Sequence, residues 1–277
     1  MSKRDRDNVS PIRKFEVCHR CGSKLPPGKA LCPSCKAWTV GNPHVSDADT
    51  VLMSDAKSSE FDRLLTGPWD KALGGGMVKS HVVMIGAVPG GGKTTMGLQM
   101  CDEACEQTGQ EAFYLSAEMQ TNEIKMYGDR MQLRHQNRIR IASTVGGLDV
   151  IRKFEGLLQM YKPCLLVLDS IPGLCDDDQE AAVLLCKLIK EQTVKINCPG
   201  FLINHVTKQD NFAGLMKLQH AVDVLLTMYL DEASGLRTIQ AEKNRGGPAH
   251  IPVTLKMTEK GLVEVEYEDI SSNTYDE

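Results

Sequence analysis

One stretch limits the possible folds of this chain more than any other, residues 81–95 with the sequence HVVMIGAVPGGGKTT. It opens with an apolar, β-branched run of strand length and continues into a glycine-rich turn that closes on Gly92-Lys93-Thr94. An apolar-periodic helix follows at once. In this order the backbone N–H groups of the turn and the positive end of the helix dipole face one anion, and Lys93 adds a full charge. The pattern predicts a P-loop that binds ATP or a close relative, against the alternative of a chance glycine-rich turn.

The same loop predicts a magnesium ligand. The Thr94 hydroxyl is placed to bind a Mg²⁺ ion that bridges the β- and γ-phosphates. The strict pattern begins with glycine, and here Ala87 takes that place, a small residue that the turn tolerates. The predicted nucleotide-binding residues of the loop are Ala87, Val88, Pro89, Gly90, Gly91, Gly92, Lys93, Thr94 and Thr95.

The composition is typical of a soluble globular protein, with 42% hydrophobic and 25% charged residues in a chain of 277. No apolar run approaches the roughly 18 residues of a membrane span, and the polar N-terminus does not resemble a secretory signal. A net charge of −4 means that any affinity for nucleic acid must come from local patches. The scattered cysteines favour a reducing compartment, so we expect a cytoplasmic protein without membrane association.

Two CxxC pairs lie near the N-terminus, Cys18 with Cys21 and Cys32 with Cys35. Each pair forms a tight turn that directs two thiolates at one point, and two such turns complete a tetrahedral Zn²⁺ site. Few apolar residues lie here, so metal binding and folding should be one event. Four thiolates leave no open coordination position, which predicts a structural zinc. Disulfides, or free cysteines in a disordered arm, are the alternatives.

Changes in composition divide the chain into segments. The N-terminal residues are charged and mixed in sign, and a later polar stretch rich in Ser and Asp contains Gly-Asn-Pro, which indicates a linker. The predicted segments are a flexible arm (1–17), a zinc ribbon (18–36), a linker (37–60), an ATPase core (61–268) and an acidic tail (269–277).

Strand-like and helix-like patterns alternate in the core, which predicts an α/β fold with a mostly parallel sheet covered on both faces. Shorter β-rich runs toward the end predict an antiparallel extension of that sheet. The predicted helices span about 93–108, 120–134, 148–161 and 179–196. The predicted strands span 81–85, 112–117, 138–143, 164–169 and 201–205, and those of the extension span 222–230, 236–242, 251–257 and 261–267.

Ligands of parallel sheets bind at the carboxyl ends of the strands, so the polar residues that end strands are candidates. Asp169 ends an apolar run, a position that predicts a Mg²⁺ ligand. The alternative is that it only initiates a turn. The position of Glu118 after a strand predicts that it is the base that polarises the attacking water. The alternative is that its carboxylate only stabilises a helix N-terminus. His205 ends a third strand, either as a structural strand end or as a sensor of the γ-phosphate.

Lys243 and Arg245 flank Asn244 after a predicted strand. Phosphoryl transfer gains from cations that are supplied late, often by a neighbouring subunit. A solvated basic turn explains the same residues equally well, so both interpretations stay open at this point.

An ordered set of motifs resembles the bacterial RadA/Sms family, RecA-like P-loop ATPases that carry a four-cysteine zinc ribbon. The match covers about residues 18–258. Its motifs are the two CxxC pairs, Thr66-Gly67 with Leu73-Gly74-Gly75-Gly76, the P-loop, Ser116-x-Glu118, Asp169-Ser170, His205-Val206-Thr207-Lys208, Ala213-Gly214, His220 with Val222-Asp223, and Lys243-Asn244-Arg245.

The resemblance implies a ring-forming ATP hydrolase, of helicase or translocase type, that binds single-stranded or branched DNA. Branch migration in homologous recombination and DNA repair would be its task, with a recombinase or helicase as partner. It further implies a DNA-facing loop at 208–214 and a nucleotide-site role for Arg130. Lys243 and Arg245 would act at subunit contacts and couple nucleotide to DNA.

The chain also departs from the family. Gly246-Gly247 replaces Phe-Gly, Met119 replaces a second acid, and Tyr127 replaces an arginine. The sequence ends at Glu277, where the family continues into a Lon-protease-like domain, so the resemblance is to a short form. Two other functions stay open: an ATP-switched module that recruits a helicase or recombinase without being a motor, and a DnaB-like or KaiC-like ATPase outside recombination.

Overall fold

The structure is a computed structural model that describes residues 18, 21–24, 32–35, 52–55, 60–144, 148–205 and 218–265, with only the backbone for 148–154. The chain divides into two compact units, Met1–Ser59 and Glu60–Glu277. The predicted arm, the predicted DNA-facing loop and the predicted acidic tail lie outside the described residues.

Strands and helices alternate through the second unit, as the sequence pattern predicts. Its described strands are β1 (Arg63–Leu64), β2 (Met77–Val78), β3 (Val82–Ala87), β4 (Ala112–Ser116), β5 (Ile139–Ser143), β6 (Leu166–Asp169), β7 (Gly200–His205), β8 (Val224–Leu230), β9 (Leu236–Asn244), β10 (Val253–Thr258) and β11 (Gly261–Glu264). Its described helices are α1 (Lys93–Thr108), α2 (Thr121–Met131), α3 (Leu148–Tyr161), α4 (Ile171–Leu174) and α5 (Gln179–Ile196).

Local sequence explains where the longest helix, α5, begins and ends. The Asp178 side chain accepts hydrogen bonds from the backbone N–H groups of Glu180 and Ala181, which caps the helix N-terminus. At the other end Asn197 takes the left-handed conformation that stops a helix. Local residues therefore mark both the start and the end of α5, and its predicted bounds agree with the structure.

The main sheet has nine strands in the order β11-β10-β9-β8-β3-β7-β6-β4-β5. Strands β5, β4, β6, β7, β3 and β8 run parallel, and β9, β10 and β11 continue the sheet in antiparallel fashion. This confirms the predicted α/β fold with one correction. β8 belongs to the parallel part, because it pairs with β3 in parallel register, Val83 opposite Val224. The apolar run that predicted a strand here carries no information about its direction.

Two hydrophobic clusters cover the two faces of the sheet. Alternate residues of β3 enter different clusters, with Val83 and Ile85 in one and Val82 and Met84 in the other. Burial on both faces explains why β3 is a continuous apolar run without polar alternation. No described helix is both long and apolar enough to span a lipid bilayer.

The parallel register brings the strand ends together at two edges of the sheet. At the carboxyl edge Ala87 lies opposite His205, and Ser116 lies opposite Asp169. At the amino edge the first residues of β3 and β8 lie beside the end of β9, where Val224 pairs with Asn244. The length of β3 separates the two edges by roughly 17 Å.

Candidate functional site

The P-loop connects β3 to α1 as the sequence predicts, and its backbone explains the glycines. Gly90 and Gly92 have φ values of 79° and 105°, in the left-handed region that favours glycine. A Cβ atom on Gly92 would also lie 2.6 Å from Cε of Met257. Helix α1 begins at Lys93, so the N–H groups of its first turn face the loop. The strand, loop and helix therefore form a site suited to a phosphate group.

The Lys93 ammonium is enclosed by the loop itself. Only 6% of the residue is exposed, and Nζ donates hydrogen bonds to the carbonyl oxygens of Ala87 at 2.9 Å and Val88 at 3.1 Å. Burial lowers the pKa of Lys93, while the nearby carboxylates of Asp169 and Glu118 act to raise it. The positive charge of Lys93 is thus held against the backbone of the loop.

Asp169 lies behind the loop with 1% of its surface exposed. Its Oδ2 atom accepts hydrogen bonds from Thr94 Oγ1 at 2.8 Å and from Tyr114 Oη at 2.6 Å. Burial raises the pKa of Asp169, and the two hydrogen bonds partly offset that rise. A hydroxyl beside a carboxylate is the oxygen donor set that Mg²⁺ prefers, so these residues fit that ion.

Glu118 is the carboxylate that reaches the open side of the site. It accepts a hydrogen bond from the Ser170 hydroxyl, and its Oε1 atom lies 2.5 Å from Nε2 of His205. Partial burial by itself raises the pKa of Glu118, but the hydrogen bonds from Ser170 and His205 outweigh burial and hold the pKa below its usual value. The side chain is therefore ionised at neutral pH and able to accept a proton.

A cavity of about 440 Å³ opens between these groups, a volume typical of small-molecule sites. It brings together most of the predicted nucleotide-site residues, including Glu118, His205 and Arg130, which lie on different elements. The carbonyls of Ala87, Val88 and Gly91 do not line it but accept hydrogen bonds from the lining residues Lys93 and Arg237, and Asp169 accepts one from Thr94. The lining residues are Pro89, Gly90, Gly92, Lys93, Thr94, Thr95, Glu118, Tyr127, Arg130, His205, Arg237 and Met257.

Lys243 and Arg245 lie at the amino edge of the sheet, away from this cavity. Lys243 Nζ donates hydrogen bonds to the carbonyl oxygens of Gln219 and Val222. Arg245 Nη1 lies 3.3 Å from Oδ1 of Asp223, and about half of the arginine side chain is exposed. Within one chain the structure does not bring either cation to the nucleotide pocket.

The four N-terminal cysteines form one cluster in the first unit. Their Sγ atoms all lie within 4.8 Å of one another, and both the Cys18–Cys35 and Cys21–Cys32 pairs are 3.7 Å apart. Tetrahedral zinc with Zn–S bonds of about 2.3 Å requires sulfurs about 3.8 Å apart, so the geometry fits one Zn²⁺. A hydrogen bond with the Ser23 hydroxyl lowers the pKa of Cys21 to about 6, which favours the thiolate that a metal binds.

Comparison with known proteins assigns the core. The family model described as "ATPase: KaiC" matches residues 59–268. The chain belongs to the KaiC family of ATPases. A KaiC-like protein of Pyrococcus horikoshii shares the fold, with a TM-score of 0.64 and 15% identity over 74% of this chain and 100% of the archaeal one.

Bacterial relatives named "DNA repair protein RadA" confirm the resemblance that the motifs indicate. The Aquifex aeolicus protein is 30% identical over 90% of this chain and 59% of its own length. The Escherichia coli and Salmonella typhimurium proteins are each 29% identical over 92% of this chain and 60% of their own length. This chain spans about three fifths of the relatives it matches.

Arg237 is a residue of this KaiC-family site that no signal in the sequence identifies. Arg237 donates from Nε to the carbonyl of Gly91 at 3.3 Å, but it lies in β9, which reaches the loop only through sheet order. Arg130, in contrast, is predicted by the family resemblance, and its guanidinium lies 5.2 Å from the ring centroid of Tyr127 on the same helix. Tyr114 could have been found, because a tyrosine within an apolar strand needs a hydrogen-bond partner for its hydroxyl.

The structure also explains one departure from the RadA pattern. A Cβ atom on Gly246 would lie 2.8 Å from Cγ2 of Val78, and the Gly246 carbonyl accepts a hydrogen bond from Arg63. A side chain at Gly246 would therefore have to displace the Val78 side chain. Glycine in place of the family phenylalanine is therefore part of the packing of this turn.

Proposed function

We propose that this chain is a DNA-dependent ATPase of recombination and repair. It hydrolyses ATP and uses the hydrolysis cycle to remodel single-stranded or branched DNA or to translocate along it. The observation that carries the proposal is the convergence of Lys93, Asp169 and Glu118 on one cavity beside a P-loop. The membership in an ATPase family and the relatives named for DNA repair support it.

Each residue of the pocket has a distinct task in this proposal. The loop N–H groups and Lys93 bind the phosphates, and Arg237 adds a second cation from the same chain. Thr94 and Asp169 hold Mg²⁺, whose charge would offset the negative charge of the β- and γ-phosphates. Tyr127 and Arg130 form the wall of the cavity that lies farther along α2, where we place the nucleobase.

Glu118 is the general base in this proposal. Its carboxylate lines the cavity and is ionised at neutral pH, so it can take the proton of the water that attacks the γ-phosphorus. Ser170 and His205 fix the direction of the carboxylate through their hydrogen bonds. His205 ends β7 immediately before residues 206–217, so a contact between His205 and the γ-phosphate would connect nucleotide state to that segment.

Lys243 and Arg245 complete a neighbouring subunit's site in this proposal. Arg245 is half exposed and lies roughly 17 Å from the P-loop of its own chain, which suits a cation that acts across an interface. The chain would therefore work as a ring, with a recombinase or helicase as the partner that delivers DNA. The zinc ribbon would be a structural part of such an assembly, and DNA is the ligand that stimulates turnover.

ATP turnover with and without single-stranded DNA tests the function directly. We expect DNA to raise the turnover rate of the full chain, and the Glu118→Gln variant to show neither basal nor stimulated turnover. A rate that DNA leaves unchanged would reject the DNA-dependent motor. Slow, DNA-indifferent turnover together with ATP-dependent capture of a helicase or recombinase would instead favour the ATP-switched module.

Zinc content tests the role of the ribbon separately. We expect one equivalent of zinc in the full chain and its loss in Cys32→Ala, with the melting temperature of the ATPase core unchanged. Cys186→Ala, at a buried cysteine outside the cluster, is the control that should keep its zinc. A full equivalent of zinc in Cys32→Ala would reject the four-cysteine site.

A further inference from the structure

We propose that Asp223 is the positioning residue for Arg245, so that this buried carboxylate at the start of β8 aims the cation that completes a neighbouring subunit's ATPase site. The inference rests on the proposed function, because it assumes that Arg245 acts across a subunit interface. It adds a residue to which neither the P-loop chemistry nor the comparisons assign a role.

The carboxylate of Asp223 is fixed to the sheet on one side. Its side chain is 4% exposed, and Oδ2 accepts a hydrogen bond at 3.0 Å from the backbone N–H of Val82, the first residue of β3. The backbone N–H of Asp223 in turn donates to the Val82 carbonyl at 2.9 Å. The first hydrogen bond fixes the carboxylate on β3, and the second fixes the main chain from which the side chain extends.

The other carboxylate oxygen faces two cations. Oδ1 lies 2.5 Å from Nζ of Lys190 on α5 and 3.3 Å from Nη1 of Arg245. Burial by itself raises the pKa of Asp223, but the hydrogen bonds from Lys190 and from the Val82 backbone outweigh it and hold the pKa below its usual value. Asp223 is therefore a fixed negative charge to which the guanidinium is directed.

Arg245 is held at two points and is free at a third. Its backbone N–H donates to the carbonyl of Asp223 at 3.1 Å, and its Nη1 atom pairs with the same residue's carboxylate. About half of the side chain remains exposed, so the rest of the guanidinium can meet an anion outside the chain. Asp223 thus sets both the position and the direction of the group.

Lys243 contacts the backbone next to Asp223 and stabilises its position. Its ammonium donates to the carbonyls of Gln219 and Val222, in the backbone that immediately precedes Asp223. The two cations of the Lys-Asn-Arg turn are therefore engaged differently: Lys243 contacts backbone, whereas Arg245 contacts a side chain and solvent. A displacement of the Asp223 carboxylate would therefore change the position of Arg245 more directly than that of Lys243.

Subunit mixing separates positioning from a general structural role. We expect Arg245→Ala and Glu118→Gln subunits each to be inactive alone, and a 1:1 mixture to regain turnover because each supplies what the other lacks. We expect Asp223→Asn to bind ATP within about twofold of the unchanged chain but to lose about 10²-fold in turnover when alone, as misplaced catalytic groups do. Mixed with Glu118→Gln it should regain activity as Arg245→Ala does. Asp231→Asn, at the far end of β8, is the control that should keep full turnover.

A second variant covers the case in which Asp223→Asn does not fold. Asp223→Glu keeps the charge that neutralises Lys190 and Arg245 but moves the carboxylate by one methylene group. We expect it to bind ATP, lose turnover alone and regain it with Glu118→Gln. Full turnover of Asp223→Glu alone, or no gain in its mixture while Arg245→Ala does gain, would overturn the inference. If neither mixture gains, the role of Arg245 across the interface fails, and the inference fails with it.

Discussion

The two edges of the central sheet use the same kinds of charged side chain in different arrangements. At the carboxyl edge the carboxylates of Asp169 and Glu118 both lie near enough to the buried Lys93 to act to raise the pKa of its ammonium against the effect of burial. At the amino edge the single buried carboxylate of Asp223 is approached by Lys190 and Arg245. Carboxylates near a P-loop suit a metal ion and a base, whereas surplus cations suit an anion that arrives from outside. In the function proposed above, the catalytic centre and the cation that completes a neighbour's centre occupy opposite edges of one sheet.

The comparison also separates binding from turnover. Groups at the carboxyl edge contact the nucleotide pocket of their own chain, so changes to those that hold the phosphates or Mg²⁺ should affect its affinity for ATP or Mg²⁺. Groups at the amino edge lie roughly 17 Å away, so changes there should leave affinity intact and affect the rate alone. The following substitutions at the carboxyl edge sharpen that distinction.

Lys93→Ala should have the largest effect. The loop loses the full positive charge that its carbonyls hold in place, and we expect ATP affinity to fall by about two orders of magnitude. Binding of a fluorescent ATP analogue measures this. Lys187→Ala, at an exposed lysine of α5, should bind normally. Unchanged ATP affinity in Lys93→Ala would contradict the proposal that the nucleotide binds at the carboxyl edge.

Glu118→Gln should be next, with unchanged ATP affinity and a turnover rate lower by about 10²–10⁴. The amide keeps the shape of the side chain but does not accept the proton of the attacking water. Steady-state hydrolysis and equilibrium binding separate the two effects, and Glu191→Gln on the exposed face of α5 is the matched control. Normal turnover would mean that the base is another residue, such as Asp169 or one from a neighbouring subunit.

Tyr114→Phe should have the smallest effect of the three. Loss of its hydroxyl removes one of the two hydrogen bonds to Asp169 Oδ2, and we expect the Mg²⁺ concentration for half-maximal ATP binding to rise about fivefold. ATP binding in the absence of divalent ions should not change.

The pH dependence of Tyr114→Phe has a definite sign. The Tyr114 hydrogen bond lowers the pKa of Asp169, so its removal raises that pKa further, and the acid limb of the turnover profile should move to higher pH. Tyr229→Phe, whose hydroxyl also donates to a carboxylate but on the surface of β8, should leave both properties unchanged. An unshifted profile with unchanged Mg²⁺ dependence would mean that Asp169 does not depend on this contact.

Much of this site follows from local sequence. The P-loop, the strand-end acids Glu118 and Asp169, and the bounds of α3 and α5 agree with the structure, because each depends on residues within one or two turns of chain. Helix caps, glycine conformations and apolar periodicity all act over that range. The four-cysteine cluster belongs to the same class, since its spacing carries the geometry.

Tertiary structure decided what depends on strand order and direction. β8 runs parallel to β3, although the apolar run of the strand itself is compatible with either direction. Arg237 reaches the P-loop and Asp223 reaches Val82 only because β9 and β8 follow β3 across the sheet. Hydrogen bonds between strands connect residues far apart in the chain, whereas sequence patterns record only what neighbouring residues impose. The sequence alone therefore determined the phosphate chemistry and the α/β fold, and the sheet order decided which cations face the pocket and which face outward.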